Sequence, residues 1–175
     1  MAFSIRPALP EDSPQLEALI RRSALGLSEG FYTPEQAAAA TREVFGVDSQ
    51  LVADRSYFAV EEEGVIVACG GWSQRSTPFG ADRAKKEPDR LLDPATEAAR
   101  IRAFFVDPGH ARRGLGSLLM NHCMEAARAA GFRQLELTAT LPGEPLYAVF
   151  GFEAVRRYEL PLAVPVPMVL MRRDL

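Results

Sequence analysis

Apolar residues recur along this chain at two spacings, and the alternation between them predicts its elements. Leu16, Leu19, Ile20 and Leu27 keep helical spacing behind Asp12-Ser13-Pro14, where a cap and a first-turn proline belong, and Gly26 to Gly30 breaks the pattern. Thr33-Pro34-Glu35-Gln36 opens a second helix with a capping-box signature, and Ala37 to Ala40, Val44 and Phe45 carry it to near Gly46. Leu115, Leu118, Leu119 and Cys123 mark a third, continuing over Ser117 to Ala130 with Gly131 as its C-cap. A short fourth helix starts in Leu141-Pro142-Gly143-Glu144-Pro145 and runs to Phe150.

Strand patterns fill the intervals. Phe3 to Arg6 stops at Pro7; Tyr57 to Val60, the turn Glu61 to Gly64 and Val65 to Trp72 read as a hairpin. Ile101 to Val106 is a β-favouring run ended by Asp107-Pro108-Gly109, and Phe132 to Thr140 sets Leu135 and Leu137 against Glu136. A further strand runs from Gly151-Phe152 to about Leu160, and Val164 to Met171 is the last. Pro161, Pro165 and Pro167 suit a loop or sheet edge better than a central strand, and this edge is the candidate for a homodimer contact. The order of elements predicts an α/β (α+β) fold with a mixed, largely antiparallel sheet, in one domain over residues 1–175.

Three stretches stand apart. Gly70-Gly71 marks a spot where a neighbouring helix or a substrate comes close to the backbone, and Trp72 either walls a pocket or packs half-buried in the core. Ser73 to Arg100, interrupted by Pro78, Gly80, Pro88 and Pro94, is too long for a plain hairpin connection and is expected to carry specificity.

Composition narrows the class. A hydrophobic fraction of 47% with 25% charged residues is that of an ordinary globular protein, and a net charge of -3 offers nothing to nucleic acid or an anionic membrane. No stretch reaches the length of a membrane span and the first residues lack an apolar signal core, so the cytoplasm is the expected location. Cys69 and Cys123 have no metal-ligand or CxxC spacing and read as reduced core residues; no metal site is expected.

The candidate chemistry lies at Ile101 to Met120, IRAFFVDPGHARRGLGSLLM: strand, glycine-rich turn, helix start. A helix N-terminus carries unpaired N–H groups and the positive end of the dipole, and Gly114 and Gly116 leave room for a diphosphate there, with Arg112 and Arg113 adding charge. Glycines that only pack against a strand have the same spacing. The stretch lacks the Gly-Lys-Ser/Thr of a P-loop and the third glycine of a dinucleotide fingerprint. It resembles motif A of the GNAT superfamily of acyl-CoA-dependent N-acetyltransferases, a strand followed by Gln/Arg-x-x-Gly-x-Gly/Ala at a helix start, with Ala111 in place of the Gln or Arg. Leu146-Tyr147-Ala148-Val149-Phe150-Gly151-Phe152 is similar to the family's Tyr-x-x-x-Gly-Phe. The element order fits the family from Phe3 to Met171.

The resemblance implies a central sheet splayed between the strands at 101–106 and 132–140, flanked by about four helices. It implies acetyl-CoA as acetyl donor, with pantetheine along Phe104, Phe105 and Val106 and the diphosphate at Arg112, Arg113, Gly114, Leu115, Gly116 and Ser117. The Val106 amide would polarise the acetyl carbonyl. Tyr147 would protonate the leaving thiolate; from an unperturbed phenol this is uphill by roughly 2 kcal/mol, so Tyr147 acts either with a lowered pKa or chiefly as a hydrogen-bond donor. Phe31 and Tyr32 border the acceptor pocket or staple the second helix to the sheet. Glu61, Glu144, His110 and a water chain are alternatives for the base. The activity implied is acetyl transfer to a primary amine of a small molecule or protein. A non-catalytic acyl-CoA sensor and a nucleotide-binding protein using the same glycine turn are the alternatives.

Overall fold

The computed structural model describes residues 2–86 and 89–175, so Pro88 lies outside the described residues. Seven strands form one sheet: β1 (Ser4–Pro7), β2 (Tyr57–Glu62), β3 (Val65–Ser73), β4 (Ala99–Val106), β5 (Gln134–Thr140), β6 (Glu153–Pro161) and β7 (Pro165–Asp174). Their order is β1-β2-β3-β4-β5-β7-β6, and every pairing is antiparallel except β4 with β5. The helices are α1 (Ser13–Gly26), α2 (Pro34–Glu43), α3 (Ser49–Ala53), α4 (Leu115–Ala129) and α5 (Glu144–Val149). The five-residue α3 is the element the periodicity does not show, because it is too short to display a helical repeat. The capping box of α2 forms as its sequence predicts: Gln36 N–H donates to Thr33 Oγ1 at 3.2 Å and Thr33 N–H to Gln36 Oε1 at 3.0 Å.

Period-2 alternation divides the core between the two faces of the sheet. Phe58 and Val60 pack with Leu119, Met120 and Cys123 of α4, whereas Tyr57 and Ala59 pack with Leu16, Leu19 and Ile20 of α1 and Leu51 of α3. A third cluster joins Ala37 and Ala40 of α2 to Val166 and Met168 of β7.

Two irregularities of β4 shape everything near it. Cys69 pairs with Phe105 and Gly71 with Arg102, so Ala103 and Phe104 of β4 oppose Gly70 alone. This bulge holds Ala103 at φ 54, and its carbonyl accepts a hydrogen bond from the buried Tyr57 hydroxyl at 3.0 Å. The close approach expected at Gly70-Gly71 is to neither a helix nor a ligand. A Cβ on Gly70 would lie 2.4 Å from the Phe104 ring, and one on Gly71 would lie 2.3 Å from the Ser56 carbonyl oxygen. The second irregularity is that β4 and β5 share only two pairs, Ala99 with Leu135 and Arg100 with Glu136. Past Arg100 the two strands part. Pro165 and Pro167 of β7 stand beyond the last β5 pair, Thr140 with Met168, so these prolines sit where β7 has lost that neighbour.

The segment after β3 folds back along the sheet. An Arg75–Leu91 bridge, Arg75 paired with Asp54 at 2.7 Å, and Thr77 bonded to Asp89 hold it together. Its anchor is Arg102, 2% exposed, which donates to Asp48 Oδ2 at 3.0 Å and to the carbonyl oxygens of Gly80 at 2.7 Å and Thr77 at 3.3 Å. Asp48, 1% exposed, also caps α3 through Gln50 N–H and takes Lys85 Nζ at 2.8 Å. One buried ion pair therefore ties β4, the approach to α3 and residues 77–80 together. Trp72 packs against Phe132 in the α4 core and does not wall the cleft described below.

Asp48→Ala leaves the buried guanidinium unpaired and is expected to cost about 3–5 kcal/mol of stability. Urea unfolding of variant and parent measures this, and a loss below about 1 kcal/mol, the range of an exposed pair, would show that Arg102 does not depend on Asp48.

Candidate active site

Where β4 and β5 part, a cleft of about 710 Å³ passes between them, reaching from α4 and α5 on one face to α1 and the end of α2 on the other. Of the residues singled out from the sequence, Phe104, Phe105, Val106, Arg112, Gly114, Leu115, Gly116, Ser117, Tyr147, Phe31 and Tyr32 all line it. The lining does not include Arg113, Glu61, Glu144 or His110.

One end of the cleft is a strand-to-helix turn. Arg112 at φ 64 and Gly114 at φ 81 both take left-handed backbone, and the first bond of α4 runs from Leu118 N–H to Gly114 O at 3.0 Å. The amides of residues 112–117 consequently have no protein acceptor among the described residues. Successive unpaired amides curled by alternating backbone hands, at the positive end of a 15-residue helix, make a cradle for an anion such as a diphosphate. The two glycines serve different ends. Gly114 supplies the positive φ with open space around it, whereas a Cβ on Gly116 would come 2.7 Å from Leu146 Cδ2, so Gly116 lets α5 pack against the head of α4. Arg113 is held elsewhere: its guanidinium pairs with Glu62 at 2.8 Å and lies over the Phe3 ring. Of the two arginines, only Arg112 lines the cleft.

Along β4 the strand pleat sends Phe104 and Phe105 to opposite faces. Phe104 packs edge-on to Tyr147 with ring centroids 6.3 Å apart, and Phe105 edge-on to Phe45 at 5.4 Å. The Val106 amide expected to face a carbonyl is already engaged, donating to Ser23 Oγ at 3.1 Å. Ser23 is 4% exposed and lines the cleft. Sequence reasoning passed over it, although a hydroxyl on the apolar face of α1, three residues after Ile20, was a visible signal.

Tyr147 projects from α5 into the cleft wall beside Phe104 and Phe152. Burial pushes its phenol well above the ordinary value, and the neighbouring Cys123 adds to the effect. The branch in which Tyr147 has a lowered pKa is therefore set aside in favour of a neutral hydroxyl. Burial likewise pushes the Cys69 thiol up to about 12 and raises Cys123, so both cysteines are core residues without nucleophilic character.

The base candidates are engaged by partners away from the cleft. Glu61 pairs with Arg6 at 2.7 Å, Glu144 pairs with Arg157, and the His110 ring sits between Glu62 at 2.9 Å and Asp107 at 3.5 Å. Tyr32 combines both roles read for it: its ring lines the cleft, while its hydroxyl donates to Pro167 O at 2.6 Å and accepts from Leu141 N–H at 3.0 Å. Pro78, Phe79, Gly80 and Ala81 reach the cleft from the long segment after β3.

Residues 24–152, well over half of the chain, match the acetyltransferase (GNAT) family. Among solved structures, the chain is similar to a GCN5-related N-acetyltransferase from Rhodopseudomonas palustris (TM-score 0.71, 22% identity, covering 100% of this chain and 99% of that one). It is similar to the PaiA N-acetyltransferase of Thermoplasma acidophilum, solved in complex with coenzyme A (TM-score 0.68, 12% identity, 100% of both chains). A third likeness is to YncA from Salmonella typhimurium, solved with its cofactor acetyl-CoA (TM-score 0.65, 15% identity, 99% of this chain and 94% of that one). These structural likenesses show the fold. No curated protein matches the sequence.

Gly114→Ala is expected to lower stability by about 1–2 kcal/mol, the cost of left-handed backbone for a residue with a Cβ, despite the open space around it. Denaturant unfolding measures it, and unchanged stability would mean that the turn is not held left-handed.

Proposed function

The chain belongs to the GNAT acetyltransferase family, and on that premise we propose that it moves an acetyl group from acetyl-CoA to a primary amine by direct attack on the thioester. The observation that carries this reading is the cleft itself: unpaired amides at the head of α4 at one end, bare β4 backbone beyond the bulge, and the Tyr147 hydroxyl in the wall. The residues suit the cosubstrate. The amides of 112–117 with Arg112 are suited to the diphosphate, each charge-assisted bond contributing roughly 1.5–3 kcal/mol, and the parted edge of β4 accepts an extended arm as an added strand would be accepted.

Bound acetyl-CoA supplies a thioester carbonyl open to attack by a neutral amine. A carbonyl arriving at Val106 either displaces the Ser23 hydroxyl or accepts a hydrogen bond from it, since Ser23 Oγ accepts from the amide and keeps its own O–H. Tyr147, held neutral by burial, donates a hydrogen bond to the departing sulfur instead of ionising ahead of it.

Calorimetric titration with acetyl-CoA, followed by thiol release over an amine panel, tests the proposal; absence of acetyl-CoA binding would overturn it. Tyr147→Phe is expected to lower kcat by about 10–1,000-fold, within the range for a lost proton donor, with little change in acetyl-CoA affinity. Unchanged turnover would remove Tyr147 from the chemistry, and acetyl-CoA binding with no turnover on any amine would favour a sensor. Because the Tyr147 pKa is raised, its protonated form persists through neutral and mildly alkaline solution. The pH–rate profile should then show no fall attributable to Tyr147 up to about pH 10, the ordinary phenol value.

A further inference from the structure

The half of the cleft on the α1 and α2 face is built from rings. Phe31, Tyr32, Phe45, Phe79 and Phe105 line it. Tyr32 offers only its ring, its hydroxyl being bonded to Pro167 O and Leu141 N–H. Phe31 is 48% exposed on a chain that buries most of its large apolar residues, so this ring stands free at the cleft. The charged side chain reaching this half, among the described lining residues, is Arg102, and it is a cation. The carboxylate behind it, Asp48, is 1% exposed and fully engaged by Arg102, Lys85 and Gln50 N–H. Glu61 and Glu144 are held in ion pairs outside the cleft, and the His110 ring is bonded to Glu62 there.

A lysine side chain, a polyamine or an aminoglycoside would arrive here as an ammonium. It would leave water for an apolar chamber walled in part by Arg102, whose charge Asp48 balances, and find no carboxylate among the described lining residues to offset that cost. Ring faces do attract cations, but that attraction holds the protonated nitrogen, which has no lone pair with which to attack. An amine borne on an aromatic ring differs on both counts. Its lone pair is delocalised into the ring, so it is uncharged at neutral pH, and its body buries apolar area against the five rings.

Resting on the acetyltransferase reading above, we propose that the acceptor is an arylamine, bound as the free base with its ring among Phe31, Phe45 and Phe79. The nitrogen lone pair forms the new N–C bond to the acyl carbon as the C–S bond breaks and its electron pair stays on sulfur. The proton lost by nitrogen passes to solvent, and the sulfur leaves as the thiolate, hydrogen-bonded by the neutral Tyr147 hydroxyl. No base has to strip an ammonium before attack, which is consistent with all three candidates being engaged outside the cleft.

The test is thiol release by the full chain with saturating acetyl-CoA and a panel of 4-methylaniline, benzylamine, spermidine, a lysine-containing peptide and kanamycin. The expected result is kcat/KM for 4-methylaniline at least about tenfold above every cationic amine, with a rate nearly flat from about pH 6.5 to 9; an ammonium substrate would instead gain about tenfold per pH unit below its pKa. Phe45→Ala and Phe79→Ala should each raise the arylamine KM several-fold, roughly as lost apolar contacts do, while calorimetry shows acetyl-CoA affinity held. Preference for a cationic amine, or acetyl-CoA binding with no transfer to the arylamine, overturns this inference alone. Failure to bind acetyl-CoA overturns the proposed function beneath it.

Discussion

A strand inside a sheet must have its N–H and C=O groups met on both sides, and β4 loses its β5 partner after Arg100. Everything distinctive in the molecule answers that loss. The Val106 amide is taken by a serine from α1, and the bulge at Ala103 redirects one carbonyl to the Tyr57 hydroxyl. Beyond the parting, Tyr32 reaches across to the end of β5 and to β7, keeping the far wall of the opening in place. What is left between the strands is a slot whose backbone edge can receive an extended ligand.

The walls of the slot are apolar on both faces. The ordinary pleat of β4 places consecutive side chains on opposite faces, so Phe104 meets Tyr147 above the sheet and Phe105 meets Phe45 below it. The glycine opposite the bulge makes room for the first of these rings, since any Cβ at Gly70 would overlap Phe104. Below the sheet the wall is completed by residues 78–81, which stay in place because Arg102 binds the Thr77 and Gly80 carbonyls and Asp48 binds Arg102. The buried guanidinium has three oxygen partners, while its Nε has none among the described residues. The chamber it helps to hold is ringed by aromatic faces, with no carboxylate among its described lining residues.

Sequence alone carried the elements and the glycine turn at the head of α4. Helical spacing on α1 and α4, the capping box of α2, the hairpin at 57–72 and the order of strands are local properties, set by periodicity and by the residues that stop it, and they reappear in the structure. The Gly114 turn and the approach of Tyr147 to the cleft were legible because strand, glycines and helix are contiguous and Tyr147 lies in a recognisable motif.

What only the tertiary structure decided is which polar groups are left free. Arg113 read as added charge beside the glycine turn and His110 as a possible base, yet Glu62, brought over from β2, claims both. Glu61 and Glu144 read as possible bases, yet Arg6 and Arg157 neutralise them. Ser23 became part of the site through a bond to a residue 83 positions away. Ion pairs and hydrogen bonds between segments far apart in sequence have no periodic signature, so a list of titratable residues cannot reveal which of them the fold has already spent.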